Sequence, residues 1–92
     1  MSTYVQENTL HTATDADRHR IQEIILAYFE LFDKKSFTRK QVCDAVLADR
    51  EMPRVTDMNT LVLEVFDKIR GAQLIQSVGG TEENEKFKLA SQ

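Results

Sequence analysis

Three nearly consecutive carboxylates and one cysteine are the residues whose types could support catalysis or metal binding. Glu82, Glu83 and Glu85 fall in a segment that we expect to be an exposed loop. General acid–base catalysis needs carboxyl groups in a cleft, and calcium loops need spaced ligands around a glycine bend. Cys43 has no histidine near it in the chain, so we expect a buried structural thiol and not a nucleophile. The sequence therefore predicts a chain that is not an enzyme and that uses neither a metal ion nor a cofactor.

A second set of residues favours binding to another protein. A helix is predicted to begin at Thr56 or Asp57, and the side chain of either residue can cap its first turn. The helix has a buried face whose apolar residues recur at steps of three and four. That face consists of Met58, Leu61, Val62, Val65, Phe66 and Ile69. The opposite face presents Leu63 among polar residues, and an exposed apolar residue with polar neighbours suits the anchor of a protein contact. With the acidic loop, the predicted partner-binding residues are Thr60, Leu63, Glu64, Asp67, Glu82, Glu83 and Glu85.

The segments after this helix must hold the acidic loop in place. Gly71 stands just past the last apolar position, where a left-handed residue commonly ends a helix. Two short runs over 74–78 and 85–89 then predict strands, the second because its apolar residues alternate with charges. Gly79-Gly80 between these runs is a turn signal. We therefore predict a hairpin closed by the two glycines.

A long apolar helix is predicted earlier in the chain, from Thr14 or Asp15 to about Asp33. Its main stripe consists of Ile21, Ile24, Ile25, Tyr28, Phe29 and Phe32. Leu26 and Leu31 fall outside this stripe, so the apolar surface is wider than one contact face needs. Two interpretations follow. Either the helix is central and wrapped by the others, which we favour, or part of it forms the seam of a homodimer.

A middle segment connects the two predicted helices. Ser36-Phe37 is a short extended link that we expect to pair with the later hairpin. Thr38 to Gln41 has the spacing of a capping box, which predicts the start of a second helix containing Val42, Cys43 and Val46. Pro53 lies in the connection over 48–55 and helps to end this helix, because a proline disfavours helical geometry in the residue before it.

The order helix, short strand, helix, helix, hairpin resembles the winged-helix superfamily across residues 15–89. The segments that carry the resemblance are Thr38–Val46 and the ending from Gly71 to Leu89. The resemblance implies an α+β fold of three helices with a C-terminal two- or three-stranded β-hairpin wing. The spacing before the third helix is also loosely similar to the DNA-binding part of ferric-uptake regulators. None of the metal ligands of those regulators is recognisable here.

The resemblance implies that the third helix would enter the major groove of DNA, with the wing along the backbone. Such binding needs cations to neutralise phosphates, whereas this helix and the loop present carboxylates. Our leading hypothesis is therefore an acidic regulator or inhibitor of another protein, for example a nucleic-acid mimic. The alternative is a dimeric DNA-binding transcriptional regulator. Its candidate nucleic-acid-binding residues are Arg39, Lys40, Arg50, Arg54, Asn59, Arg70, Lys86 and Lys88.

Length and composition limit the remaining alternatives. Ninety-two residues suit one domain over 15–92, preceded by an arm over 1–14 that is either flexible or docked. The formal net charge of -3 does not favour nucleic acid. A single cysteine excludes an intrachain disulfide. Because no apolar run is long enough for a membrane span and no secretory signal is recognisable, we expect a cytoplasmic protein that does not bind membranes.

Overall fold

The computed structural model describes residues 12–32 and 35–90. Within these residues the chain has an α+β fold with three helices and a three-stranded antiparallel sheet. The elements in chain order are α1 (Asp15–Leu31), β1 (Phe37–Thr38), α2 (Arg39–Leu47), α3 (Met58–Gly71), β2 (Ile75–Gly79), a short 3₁₀ turn (Glu82–Asn84) and β3 (Lys86–Leu89). The predicted order of elements is confirmed.

The sheet has the strand order β1-β3-β2, so the last strand lies in the middle. Phe37 of β1 stands opposite Phe87 of β3, which confirms that the link before α2 pairs with the hairpin. On the other side Ile75 of β2 stands opposite Leu89. The sheet therefore joins the start of α2 to the hairpin that follows α3.

The capping box predicted at α2 is confirmed, and α1 has a second capping box that was not predicted. At α1 the Thr14 amide donates to Asp17 Oδ2 at 3.0 Å, and the Asp17 amide donates to Thr14 Oγ1 at 3.2 Å. At α2 the Thr38 amide donates to Gln41 Oε1 at 2.9 Å, and the Gln41 amide donates to Thr38 Oγ1 at 3.1 Å. Each box satisfies two backbone donors that the first turn leaves free.

The outer ends of the first predicted segments lie outside the described residues. This holds for residues 1–11 of the predicted arm and for Asp33, the expected end of the first helix. Within the described part, α1 ends at Leu31 and Phe32 is its C-cap.

The start of α3 differs from the prediction in its capping. Asp57 occupies the N-cap position, but its backbone is left-handed with φ 55°, and its side chain makes no capping hydrogen bond. An N-cap side chain reaches the free amides from an extended backbone. The prediction located the start of α3 correctly and was wrong about a side-chain cap from Asp57.

The end of α3 also differs. Gly71 is the last helical residue, and the left-handed position belongs to Gln73, with φ 64°. The Gln73 amide donates to the Arg70 carbonyl at 3.0 Å, and the Leu74 amide donates to the Ile69 carbonyl at 3.1 Å. These are the two bonds of a Schellman motif. The predicted role of Gly71 was wrong because the helix continues two residues further than its apolar stripe.

The hairpin connection is longer than the two predicted glycines. Gly79 belongs to β2, where the pairing register shifts between Ser77 and Gly79, and residues 80–85 form the connection, called here the acidic connection. Gly80 has φ +80°, and a Cβ built on it would lie 2.2 Å from the carbonyl oxygen of Asn84. Glycine is required there because any side chain would collide with the backbone.

One hydrophobic core joins the helices to the sheet. α1 contributes Ile21, Ile25 and Phe29, which confirms the inner part of its predicted stripe. Phe66 of α3 packs edge to face against Phe87 of β3, with ring centroids 5.4 Å apart. The predicted buried face of α3 is confirmed at Leu61, Val62, Val65, Phe66 and Ile69, and Met58 is half-buried.

Candidate partner-binding groove

A groove of about 970 Å³ lies between α2, α3 and the acidic connection. It is the place where residues from both predicted site sets come together. Its lining residues are Thr38, Arg39, Lys40, Gln41, Cys43, Asp44, Leu47, Asn59, Leu63, Glu82, Glu83 and Asn84. Part of this lining carries no sequence signal for function, because Leu47 has the pattern of an ordinary helix residue and Asn84 that of a loop residue.

The apolar part of the groove comes from α2 and α3. Leu47 and Leu63 are half-buried and pack against the core. The prediction that Leu63 is exposed was wrong, because Leu63 is half-buried and packs against the core. A half-buried apolar residue at the base of a groove is still suited to receiving an apolar side chain from a partner.

Cys43 lies beneath this groove as a buried thiol. Its side chain is almost inaccessible, as predicted. Burial raises the pKa of the Cys43 thiol to about 11. Because the thiolate is the nucleophilic form of cysteine, burial keeps this thiol unreactive near neutral pH.

An ion pair across the groove wall joins the two predicted site sets. Arg39 of α2 donates from Nε to Asp67 Oδ1 at 3.1 Å and from Nη2 to Asp67 Oδ2 at 2.7 Å. Asp67 was predicted to face a protein partner and Arg39 to face nucleic acid. The structure instead pairs them in the bidentate geometry that arginine favours with carboxylates, so each charge is largely neutralised by the other.

Two further ion pairs involve charged residues of the two predicted site sets. Lys40 Nζ donates to Asp44 Oδ2 at 2.7 Å, and this carboxylate raises the pKa of Lys40. Arg70 lies 3.5 Å from Glu85 Oε1, and its guanidinium stands 5.2 Å above the centre of the Phe87 ring. Glu85 is thus half-buried beside a cation, not an open carboxylate. Its predicted role in partner contact is not supported by this geometry.

Glu82 and Glu83 remain as uncompensated charges at the groove. Both are exposed, and neither forms an ion pair or side-chain hydrogen bond within residues 12–32 and 35–90. The acidic connection holds them through the Asn84 amide, which donates to the Thr81 carbonyl at 2.9 Å. Free negative charge therefore borders a groove whose cations, Arg39 and Lys40, are already paired.

Glu64 lies on another side of α3. It lines a smaller groove against α1, together with His19 and Lys68. Thr60 is exposed and lines neither this groove nor the partner-binding groove. The residues of the predicted face of α3 therefore lie at two different grooves. Leu63 lines the partner-binding groove, and Glu64 lies towards the N-terminal half of α1.

The remaining candidate cations for nucleic acid are spread over different elements. Arg50 and Arg54 are exposed in the connection between α2 and α3. Lys86 and Lys88 flank the buried Phe87 on β3, so they lie on the outer face of the sheet. These four cations form no ion pair within the described residues. Asn59, the one uncharged residue of the candidate nucleic-acid set, lines the partner-binding groove.

Neither metal binding nor membrane spanning finds a candidate in the described part of the chain. No group of three or more histidine, cysteine, aspartate or glutamate side chains there could hold a metal ion. None of the described helices has the length and apolar character to cross a bilayer.

No protein-family model matches the sequence, and comparison with curated proteins and with solved structures returns no significant match.

Proposed function

We propose that this chain is a winged-helix protein that acts by binding another protein in the partner-binding groove. The element order and the sheet order β1-β3-β2 support the winged-helix assignment, since they place a hairpin directly after the third helix. In this proposal α3 and the acidic connection act together, as the resemblance implies for a recognition helix and its wing. The groove between them receives protein and not DNA.

The free charge of the groove is the observation that carries the proposal. Arg39 and Lys40 each bond a carboxylate, while Glu82 and Glu83 have no cation beside them in the described part of the chain. A polyanion brought to this groove would meet two unneutralised negative charges. A peptide segment could pack an apolar side chain against Leu63 and place a lysine or arginine beside the carboxylates of the acidic connection.

This geometry narrows the kind of partner. A nucleic-acid mimic presents many free carboxylates, and pairing with arginine reduces the charge of Asp67 and Glu85. The proposal is therefore a regulator or inhibitor that recognises a short basic and apolar segment. We keep the predictions that the chain is not an enzyme and that it acts in the cytoplasm. The burial and raised pKa of Cys43 support only the narrower prediction that this thiol is not a nucleophile.

Selection from a random peptide library tests the proposal directly, because the library contains basic, acidic and apolar segments alike. The full chain is immobilised, and bound peptides are sequenced. We expect the selected peptides to share one large apolar residue with a lysine or arginine close to it. A synthetic fluorescent copy of one such peptide then serves as the probe for affinity measurements.

Charge reversal locates the binding surface of that probe. Glu83→Lys should weaken binding about fivefold, because it exchanges an attraction for a repulsion, each of order 1 kcal/mol or less. Glu64→Lys is the matched control, since it makes the same charge change outside the groove, and it should leave the affinity unchanged. Equal effects of the two substitutions would show that the groove is not the binding surface.

The alternative function is a dimeric DNA-binding regulator. The cations Arg50, Arg54, Lys86 and Lys88, unpaired within the described residues, are the observation that favours it. In that case the protein would bind random duplex DNA at low salt, and the affinity would fall steeply as salt is added. Alanine substitution of Arg54 and Lys86 would then reduce that salt dependence.

A further inference from the structure

A second groove, of about 390 Å³, lies between α1 and α2 and is called here the α1–α2 groove. It shares no lining residue with the partner-binding groove, although α2 contributes to both. None of the candidate residues of the two functions considered above lines it. The α1–α2 groove is therefore a separate surface, and neither function accounts for it.

One end of the α1–α2 groove is apolar and open to solvent. Leu31, the last residue of α1, is 74% exposed, the largest exposed fraction of any large apolar residue in the described chain. Ala27, one turn earlier, is also exposed, and Tyr28 is half-buried. Ala45 lines the groove from α2. Because both alanines are small, this end has room for apolar side chains from outside.

The other end of the α1–α2 groove is acidic. Glu23, Asp49 and Glu51 are its carboxylates, and Arg20 is the one cation among the lining residues. Arg20 donates from Nη1 to Glu51 Oε1 at 3.0 Å, so this cation is already paired. Three carboxylates and one guanidinium leave the lining with a net charge of -2.

The C-terminus of α2 adds negative charge at the acidic end. α2 ends at Leu47 with Ala48 as its C-cap, and its last turn contains no basic residue. The free carbonyls at a helix C-terminus carry partial negative charge, which a nearby cation stabilises. Asp49 follows directly, and the exposed Arg50 does not line the groove. This end therefore attracts a cation from outside the chain.

We infer that the α1–α2 groove binds a basic amphipathic helix of another protein. Apolar side chains of that helix pack against Ala27 and Leu31, and a lysine or arginine near one end contacts Glu23 and Asp49. A third helix suits a groove between two helices, because apolar side chains one turn apart fit between its walls. Positions 20 and 31 of α1 are about 16 Å apart along its axis, so about three turns span the groove.

The charge of the groove distinguishes this occupant from others. A second copy of the chain would bring the same negative charge to a twofold contact, so the homodimer seam predicted for α1 is not favoured here. Residues 1–11 contain no lysine or arginine. Nucleic acid is itself a polyanion. A basic amphipathic helix complements both the apolar and the acidic end.

Two synthetic peptides of equal length test the inference. One has leucines at steps of three and four with lysine on its remaining face, and the other has glutamate in place of each lysine. The full chain, labelled with ¹⁵N, is titrated with each peptide, and the shifted amide signals locate the binding surface. We expect the lysine peptide to shift the signals of Ala27, Leu31 and Ala45, and the glutamate peptide to shift none of them.

Four variants test which side chains bind the lysine peptide, with the shift of the Ala27 signal as the measure of affinity. Leu31→Ser should weaken binding at the α1–α2 groove about tenfold, because it removes the exposed apolar contact. Val78→Ser is the matched control at an exposed apolar residue of β2, and it should change nothing. Glu23→Lys should weaken binding about fivefold. Glu64→Lys makes the same charge change outside the groove and should leave the affinity unaltered.

Three results would overturn the inference. The first is a lysine peptide that shifts no signal of the α1–α2 groove; shifts confined to the partner-binding groove would give this result and leave the proposed function standing. The second is equal binding of the glutamate peptide, which would show that the charge does not select the occupant. The third is a set of groove signals that move on dilution of the chain alone, which would show that a second copy covers this surface.

Circular dichroism confirms that each variant is folded.

Discussion

The left-handed residue after α3 provides a quantitative prediction about stability. Gln73 holds φ 64°, and its side chain makes no hydrogen bond or ion pair within the described residues. A left-handed backbone costs a residue with a Cβ roughly 1–2 kcal/mol. Gln73→Gly removes that cost and keeps both backbone bonds of the Schellman motif.

The expected gain is smaller than the backbone cost alone. Glycine loses more conformational freedom on folding, which takes back about 0.5–1 kcal/mol. The net stabilisation of Gln73→Gly should therefore be about 0.5–1 kcal/mol. For a domain of this size that corresponds to a rise in melting temperature of about 3–6 °C.

Gly71→Ala is the companion change. Gly71 is helical, and a Cβ built on it would meet nothing within 4 Å. Alanine there should stabilise the chain by up to about 1 kcal/mol through its higher helix propensity. The double variant should be more stable than either single variant.

Urea denaturation followed by circular dichroism measures these differences. Gln76→Gly is the matched control, because Gln76 is an exposed residue of β2 without a positive φ, where glycine should destabilise the strand. A Gln73→Gly variant no more stable than the wild type would contradict the left-handed cap. Destabilisation by Gly71→Ala would also contradict it, because alanine is unfavourable at a left-handed C′ position and favourable inside a helix.

Further predictions concern the groove and the core. Gly80→Ala should destabilise the chain by about 2 kcal/mol or more and weaken binding of the selected peptide, because its Cβ would collide with Asn84 and displace the acidic connection; normal peptide affinity would argue against this collision. Asp67→Asn should cost at most about 1 kcal/mol, since the Arg39–Asp67 side chains are 42% and 51% exposed; a larger loss in urea denaturation would mean that the pair does more than join α2 to α3. Cys43 should react with iodoacetamide at pH 8 about a hundredfold more slowly than after unfolding, because its pKa is raised to about 11. Equal alkylation rates in the folded and unfolded states would show that Cys43 is accessible. The raised pKa of Cys43 should also reduce the stability of the chain as pH rises from 9 to about 11, because the thiol of the unfolded chain releases its proton first.

Local signals in the sequence were sufficient for much of the fold. The capping box at Thr38 was predicted from two residues three positions apart, whereas the box at Thr14 has the same spacing and was not predicted. The apolar periodicity of α3 identified its buried face. The end of α3 was misplaced because a Schellman motif depends on backbone geometry, and Gln73 has no residue-type signal for it.

The site was harder to predict because its charges pair over long distances in sequence. Arg39 and Asp67 are separated by 28 positions, and no spacing rule links them. The same is true of Arg70 and Glu85, which β3 brings together. A count of the carboxylates on one face of α3 therefore overstated its negative charge. The unpaired carboxylates could be located only from a structure that shows which side chains form ion pairs.

The free charge at the groove is negative, and we propose that the chain therefore binds a basic apolar segment in preference to DNA. Fluorescence anisotropy with two probes tests it most directly, using the selected peptide and a random DNA duplex at about 50 and about 200 mM salt. We predict saturable binding of the peptide and no binding of the duplex at either salt concentration. Duplex binding at the lower salt that falls by orders of magnitude at the higher salt would contradict a groove that selects a basic peptide.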